Sequence, residues 1–357
     1  MTIPNIVTPL FEKHGIGSRF FLAPINTGMT EWNSPSLDLI NFHTERSSKY
    51  IGLNYIGNVA IDYEYMTNDR NLVLLQNNTT TWIKLIESIY SHGSIPAIQF
   101  ACLKSKIIPQ KSWIGNCCNY LINARDEFVN FNIGLFERIF DKFIENIKVA
   151  YDIGVRIFQI HAAHGYFLSN LINHHINKRN DQFSYGDFYF FDKLVDILKN
   201  EFNDILLDIR ISVYKGIDNK RTELADTFQI TSNLIKSGFD IISFSNGIYN
   251  VNKEYIYPPK QWGHAFYLEA LLSLIKLYPD TIFNYAGNIW NIEQLNTIPN
   301  NLSFSIGRSL ISDPDIVRKF YKKEENKING CNNCDGCHYY SLGKKQLLCS
   351  NWREQIM

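Results

Sequence analysis

The stretch that decides the fold runs from Arg156 to Asp181, RIFQIHAAHGYFLSNLINHHINKRND. Its apolar run, Ile157-Phe158-Gln159-Ile160, has the length and β-branched content of a buried strand. The run stops at His161, and His164, Gly165 and Tyr166 follow. Gly165 and the polar cluster beyond it mark the chain leaving the strand. A lone histidine is usually packed or solvated. Two histidines and a tyrosine within six residues at a strand end are harder to dismiss. They stand at the C-terminal mouth of the strand, where α/β barrels place their chemistry.

Working outward, seven further strands read as short apolar runs at 19–25, 52–59, 95–100, 205–211, 240–245, 281–286 and 302–306. Helical patterns alternate with them at 34–50, 79–90, 133–153, 188–202, 222–236, 262–277, 292–298 and 313–322. Residues 101–132 read as a long irregular excursion holding Pro109, Gly115, Cys117 and Cys118. The strands read as apolar on both faces, as parallel strands covered by helices must be. Eight such units predict an α/β fold, a closed (β/α)8 TIM barrel over residues 1–325 with a cysteine-rich C-terminal extension over 326–357. A doubly wound sheet would want a G-x-G-x-x-G turn after an early strand, and Ala23-Pro24-Ile25-Asn26-Thr27-Gly28 has none.

The 357 residues are 45% hydrophobic, enough for one large core. Lys+Arg and Asp+Glu both number 35, a formal net charge of +0, which argues against a nucleic-acid or anionic-membrane binder. No apolar run of about 18 residues predicts a membrane span. The start, MTIPNIVTPLF, lacks the pattern of a secretory signal, so a cytoplasmic location is expected by default. The seven cysteines are odd in number with four near the C-terminus, which suits reduced thiols or a metal better than disulfides.

In a barrel, residues at the strand ends converge. They are Pro24, Asn26 and Thr27; Gly57 and Asn58; Gln99; His161, His164 and Tyr166; Arg210; Ser245-Asn246-Gly247; Gly287-Asn288; and Gly307-Arg308. The set has two arginines and no carboxylate pair, where a hydrolytic metal centre would want Asp or Glu beside the histidines. A planar heteroaromatic ring fits better, because amides and imidazoles can hydrogen-bond its edge. Arg308 and Ser309 follow strand eight, where such barrels often hold a phosphate. Arg210 can offset negative charge on a reduced ring.

These residues resemble a known family. HAAHGYFLSNLINHHINKRND is similar to the H-A-A-H-G-Y-L…F-L-S-P…N-x-R-x-D signature of the Old Yellow Enzyme family of FMN-dependent ene-reductases. Leu22-Ala23-Pro24-Ile25 resembles its first-strand A-P-M, Gly52-Leu53 through Gly57-Asn58-Val59 the G-L…G-N-V of one branch, and Ile98-Gln99-Phe100 its third-strand Q-L. Ser305-Ile306-Gly307-Arg308 with Asp313-Pro314 resembles its G-R…D-P. The resemblance covers roughly residues 5–325. It implies FMN as cofactor, NADH or NADPH as hydride donor, and a small-molecule activated alkene as acceptor. It further implies that Gln99 and Arg210 contact the flavin ring, with Ala23, Pro24, Ile25, Asn26 and Asn58 beside it. Gly287, Gly307 and Arg308 would hold the phosphate, His161 and His164 the substrate carbonyl, and Tyr166 would donate a proton to the α-carbon. Phe100-Ala101-Cys102-Leu103-Lys104 departs from the family's H-x-G-R. Arg179-Asn180-Asp181-Gln182-Phe183-Ser184-Tyr185 departs from its R-T-D-E-Y-G-G.

Beyond the eighth helix lie Cys331, Cys334, Cys337 and Cys349, spaced C-x2-C-x2-C-x11-C. Four thiols so spaced suit a tetrathiolate zinc or a 4Fe–4S cluster, or stay empty. The spacing resembles, one residue shorter, the C-x2-C-x3-C-x11-C of the dienoyl-CoA reductase branch. There the cluster relays electrons from a separate FAD domain. None is expected in this sequence, which ends at Met357. Two competing classes stay open: a metal-dependent aldolase or hydrolase using His161, His164 and His174 or His175, and a non-catalytic flavin-binding barrel. Monomer and homo-oligomer are both compatible with the sequence.

Overall fold

The computed structural model describes residues 3–104, 117–295 and 298–355. Eight parallel strands run in sequence order around a barrel: β1 Phe20–Leu22, β2 Leu53–Ala60, β3 Ile95–Ala101, β4 Ile157–Ala162, β5 Leu206–Ser212, β6 Ile241–Ser245, β7 Ile282–Tyr285 and β8 Leu302–Ile306. Each pairs with its neighbours, and Leu22 of β1 against Asn54 of β2 closes the ring. The (β/α)8 barrel expected from the sequence is the fold.

Local signals explain the outer helices. Ser36 caps Leu37–Glu45 by accepting from the Leu39 N–H, Asn132 caps Ile133–Asp152 through Leu135, and Asn219 caps Lys220–Ser237 through Thr222. The Ile133–Asp152 helix buries Phe136, Ile139, Phe140, Phe143, Ile147 and Ala150 as one stripe against the barrel. At the N-terminal mouth, Phe11 of the short helix Pro9–Lys13 packs with Ile16, Phe21, Leu53, Ala97, Ile157, Ile241 and Ile282. This apolar plug closes the end of the barrel opposite the chemistry.

Several expectations change. The first helix begins at Leu37, because Ser34–Pro35 pairs antiparallel with Thr30–Glu31. The excursion after β3 holds a helix, Cys117–Asn130; Pro109 and Gly115 lie outside the described residues. The eighth helix is shorter than expected, Ile316–Tyr321, and a further short helix, Arg308–Ser312, precedes it, the two separated at Asp313-Pro314. The seventh is a 3-10 turn, Ile292–Leu295.

The strands are not apolar on both faces. Inside the barrel the carboxylate of Asp208 accepts from Tyr55 Oη (2.6 Å), Ser243 Oγ (2.9 Å) and the Gln159 amide. Asn284 donates to Ser243 and Ser305, both at 2.9 Å, and Gln99 donates to Gln159. This layer is the floor of the site. Side chains two residues further along a strand point the same way. Gln159 is therefore followed by His161, Asp208 by Arg210, and Ser243 by Ser245, one step nearer the mouth. The registers Gln99↔Gln159↔Asp208 and His161↔Arg210 hold the first strands' residues level, and the next strand is offset by one step, with Arg210 opposite Ser243 and Ser212 opposite Ser245.

Residues 326–355 fold back over that mouth. Tyr339 Oη donates to Asn26 Oδ1 (2.8 Å), the Leu347 N–H to Thr27 O (2.7 Å) and Trp352 Nε1 to Ile311 O (2.9 Å). A Cβ on Gly28 would stand 2.6 Å from the Tyr339 ring, so only glycine admits this approach. No helix among the described residues is long and apolar enough to cross a membrane.

Candidate active site

The strand mouths and the folded-back extension enclose a cavity of about 280 Å³. Ala23, Pro24, Ile25, Asn26, Asn58, Gln99, His161, His164, Tyr166, Arg210, Gly287, Gly307 and Arg308 all line it. So do Cys331 and Cys337, whereas Cys334 and Cys349 do not. His174 and His175 lie elsewhere and gather with Asp218 instead. The histidines named for a metal-dependent hydrolase are therefore split between two places.

His164 is held in a left-handed conformation, φ +65. For a residue with a Cβ this needs support from its surroundings. The support is present: its N–H donates to Ser212 Oγ (3.0 Å) and its carbonyl accepts from the Tyr249 N–H (3.2 Å). The turn aims the ring inward, 4.9 Å from that of His161, which in turn lies 4.5 Å from the ring of Tyr166. Ser245 Oγ accepts from Arg210 (3.0 Å) and sits 2.8 Å from His164 Nε2. Burial, with the Arg210 charge adding to it, pushes both imidazoles well below their ordinary pKa. Both rings are neutral at neutral pH and can each donate one N–H.

Tyr166 is 5% exposed, and burial raises its phenol well above 10. Its oxygen accepts from Asn58 Nδ2 at 2.9 Å. The Asn58 amide is itself fixed. Asn71 Nδ2 donates to its backbone carbonyl (2.6 Å) and faces its Oδ1 (3.4 Å), and Asn71 Oδ1 accepts from the N–H and hydroxyl of Thr67, both at 2.9 Å. Each amide in the row has its oxygen occupied, so each must offer its nitrogen to the next. The phenol oxygen thus accepts at the end of a directed chain, and its own proton is left to donate.

Lys253, Lys260, Arg210 and Arg308 line the cavity, and among the described residues no carboxylate does. Two buried nitrogens of lining residues, His161 Nδ1 and Arg210 Nε, have no hydrogen-bond partner among the described residues. A buried polar atom without a partner costs about 1–3 kcal/mol, so the Arg210 N–H awaits an acceptor and the His161 nitrogen a partner of either kind, set by its tautomer. Arg308 donates to Asn288 Oδ1 (3.1 Å) and Pro258 O beside Gly307. At Gly287 a Cβ would come within 2.4 Å of the Tyr267 ring. The cavity therefore suits an anionic ligand with hydrogen-bond acceptors on a flat polar edge, and a flavin phosphate fits that donor set.

Sequence reasoning missed Gln159, Asp208, Asn71, Tyr249, Tyr257 and Tyr339. The signal for the first two was present, since Gln159 and His161 on one strand and Asp208, Arg210 and Ser212 on the next alternate at period two. The others sit on loops without periodicity.

The buried ionisable groups set a pH dependence. His43, His161 and His164 are buried with lowered pKa values, about 4 for His43. Unfolded histidines take up protons below about pH 6.5 that these cannot, so their contribution is present above 6.5 and lost as pH falls, each by up to about 1.4 kcal/mol per unit. Asp208, raised to about 6 by burial, acts in the opposite sense between about pH 6 and 4. Three groups outweigh one, so Tm is expected to fall between pH 7.5 and 5.5; a Tm that climbs on acidification would refute the assignment.

A family model described as NADH:flavin oxidoreductase / NADH oxidase family matches residues 9–327. An NADH oxidase of Thermoanaerobacter brockii is 23% identical over 352 residues, covering 92% of this chain and 53% of its own length. The chain thus spans about half the length of that curated relative. A 2-naphthoyl-CoA reductase bound to 2-naphthoyl-CoA superposes with a TM-score of 0.73 at 13% identity, over 94% of this chain and 54% of that one. Old Yellow Enzyme from Pichia sp. AKU4542 gives 0.64 at 14%, over 86% and 83%. At those identities the likeness of the structures speaks for the fold, whereas the match over residues 9–327 speaks for descent. The chain belongs to the NADH:flavin oxidoreductase / NADH oxidase family.

Proposed function

We propose that the chain binds FMN in this cavity and passes hydride from NADH or NADPH to an activated alkene, an enone or an enoyl-type compound. The observation that carries the reading is the directed amide row ending on Tyr166, which leaves a neutral phenol free to donate beside two neutral imidazoles.

Bound FMN supplies the hydride chemistry that no side chain here can perform. Gln99 and Arg210 would hold the ring edge, and Gly287, Gly307 and Arg308 the phosphate. His161 and His164 would donate to the substrate's carbonyl oxygen, where charge builds as the alkene accepts hydride. Tyr166 then gives its proton to the α-carbon, and the Asn58 hydrogen bond steadies the oxygen left behind.

Anaerobic addition of NADH or NADPH to the purified yellow protein should bleach the flavin band near roughly 450 nm, because the cofactor takes up the hydride. An enone or enoyl-thioester should restore it. A colourless protein, or bleaching that no alkene reverses, would sink the proposal. Asn58→Ala should slow alkene reduction about tenfold, the loss of one hydrogen bond worth about 1.4 kcal/mol to a developing charge. Retained flavin with an unchanged alkene rate would remove Asn58 from this role.

Zinc would ask the four cysteines to draw together. A tetrahedral zinc with Zn–S near 2.3 Å needs sulfurs roughly 3.8 Å apart. Among the described residues no three of these sulfurs lie within 4.8 Å of one another. A four-iron cubane spreads its thiolates more widely and is the group we would seek there, by counting iron and acid-labile sulfide after anaerobic purification. Neither element above background would leave the thiols empty.

A further inference from the structure

We infer that His174, His175 and Asp218 form a binding site for a first-row divalent metal ion of the zinc type, outside the flavin cavity. His175 Nε2 lies 2.6 Å from Asp218 Oδ2, and His174 Nε2 lies 3.6 Å from the same oxygen. One ligand atom from each residue falls within 4.8 Å of the other two. Two imidazoles and a carboxylate are the donor set that zinc and its neighbours take, at about 2.0–2.2 Å per ligand. Ligand atoms around such an ion sit roughly 3.3 Å apart, so the His175–Asp218 contact would open by under about 1 Å, the His174–Asp218 separation is close to the requirement, and the two imidazole nitrogens start within 4.8 Å of each other.

The surroundings are those of a built site. His174 turns its other nitrogen, Nδ1, toward Asp226 Oδ2 at 3.9 Å. A carboxylate behind a ligating imidazole is the usual way of fixing its orientation. Asp226 is held in place by Tyr185 Oη (2.5 Å) and by Lys215 Nζ. The loop bearing Asp218 is pinned as well. Glu223, 4% exposed, accepts from the N–H groups of Lys215, Ile217 and Asp218. On the other side Arg125 Nε donates to the His175 carbonyl, and the His175 N–H to Asn173 Oδ1. His174 and His175 follow β4, and Asp218 follows β5. A metal here would tie together the two loops that continue from His161, His164 and Tyr166 and from Arg210. A simple ion pair explains the 2.6 Å contact. A metal would in addition use the second imidazole, 3.6 Å from the same oxygen with the Asp226 carboxylate 3.9 Å behind it.

The site stands apart from the oxidoreductase reading, and its test uses no activity. The full-length protein as purified is equilibrated with Zn2+, freed of loose metal, and its zinc counted beside His175→Ala and Asp218→Asn. Each variant should hold one equivalent less than the parent, whatever the cysteines carry, because the comparison is by difference. Zn2+ should raise the parent's Tm by a few degrees and that rise should shrink in both variants, since a ligand that prefers the folded state stabilises it. Folded variants that hold as much zinc as the parent would overturn the proposal. Should either variant fail to fold, anomalous diffraction at the zinc edge from parent crystals decides: a peak between the three side chains supports the site, and its absence there overturns it.

Discussion

Tyr166→Phe is expected to slow alkene reduction by roughly 10²–10⁴-fold, the range that a positioned general acid supplies. Flavin reduction by NADH or NADPH should stay within about twofold, because that half-reaction moves hydride and asks nothing of the phenol. The physical basis is the direction of the hydrogen bonds. Asn71 occupies the oxygen atoms of Asn58, so Asn58 Nδ2 must point at the phenol oxygen, 2.9 Å away. That oxygen accepts, and its proton is free. Burial raises the phenol's pKa well above its ordinary value, which keeps the proton in place until a carbanion-like centre takes it. Phenylalanine keeps the ring packed 4.5 Å from His161, so loss of rate without loss of fold is the signature. Stopped-flow measurement of both half-reactions tests it; equal slowing of the two would end the proton-donor role.

The double replacement of His161 and His164 with Ala is the second large effect. Each imidazole is neutral and buried, and each would offer one N–H to an oxygen that gains charge. Removing one such donor typically costs 10²–10³-fold in rate, so the pair should reduce turnover below detection. FMN should remain bound, since Gln99, Arg210 and the glycine-rich phosphate side are untouched. Phenols that bind by presenting an oxygen anion to these rings should no longer perturb the flavin spectrum. Apoprotein from the double variant, under conditions where the parent stays yellow, would place the histidines under the cofactor and contradict the roles given.

Much of the fold was legible from the chain. Short apolar runs alternating with helical stripes gave eight strand–helix units, and thirteen of the seventeen residues placed at strand ends line one cavity, whereas Thr27, Gly57, Asn246 and Gly247 do not. What the reading passed over was the barrel interior. Strands covered by helices look apolar along their length, and a single Gln159 or Asp208 reads as an exception. Inside a closed ring those exceptions meet, because parallel register brings Gln99, Gln159 and Asp208 level. The floor they make is polar and hydrogen-bonded, with Gln99 at its rim facing the cavity.

Asn58 illustrates the same divide within the site. Its position at a strand end was evident, but its partner lies 108 residues along the chain and its orientation is set by Asn71, on the far side of a loop. Hydrogen-bond direction along such a row depends on which atoms are already taken, a property of the assembled network and of no local segment.

The sequence by itself determined the strand count, the helix caps and the chemical types at each strand mouth, because periodicity of 2.0 and 3.6 and side-chain capping are local properties of the backbone. Only the tertiary structure decided that the cysteine-bearing segment returns over the mouth through Tyr339 and Leu347, that Asp208 lies beneath the ring of site residues, and that His174 and His175 leave it for Asp218. Those are contacts between segments far apart in the chain. Closure of the barrel, which no local pattern encodes, is what brings them within bonding distance.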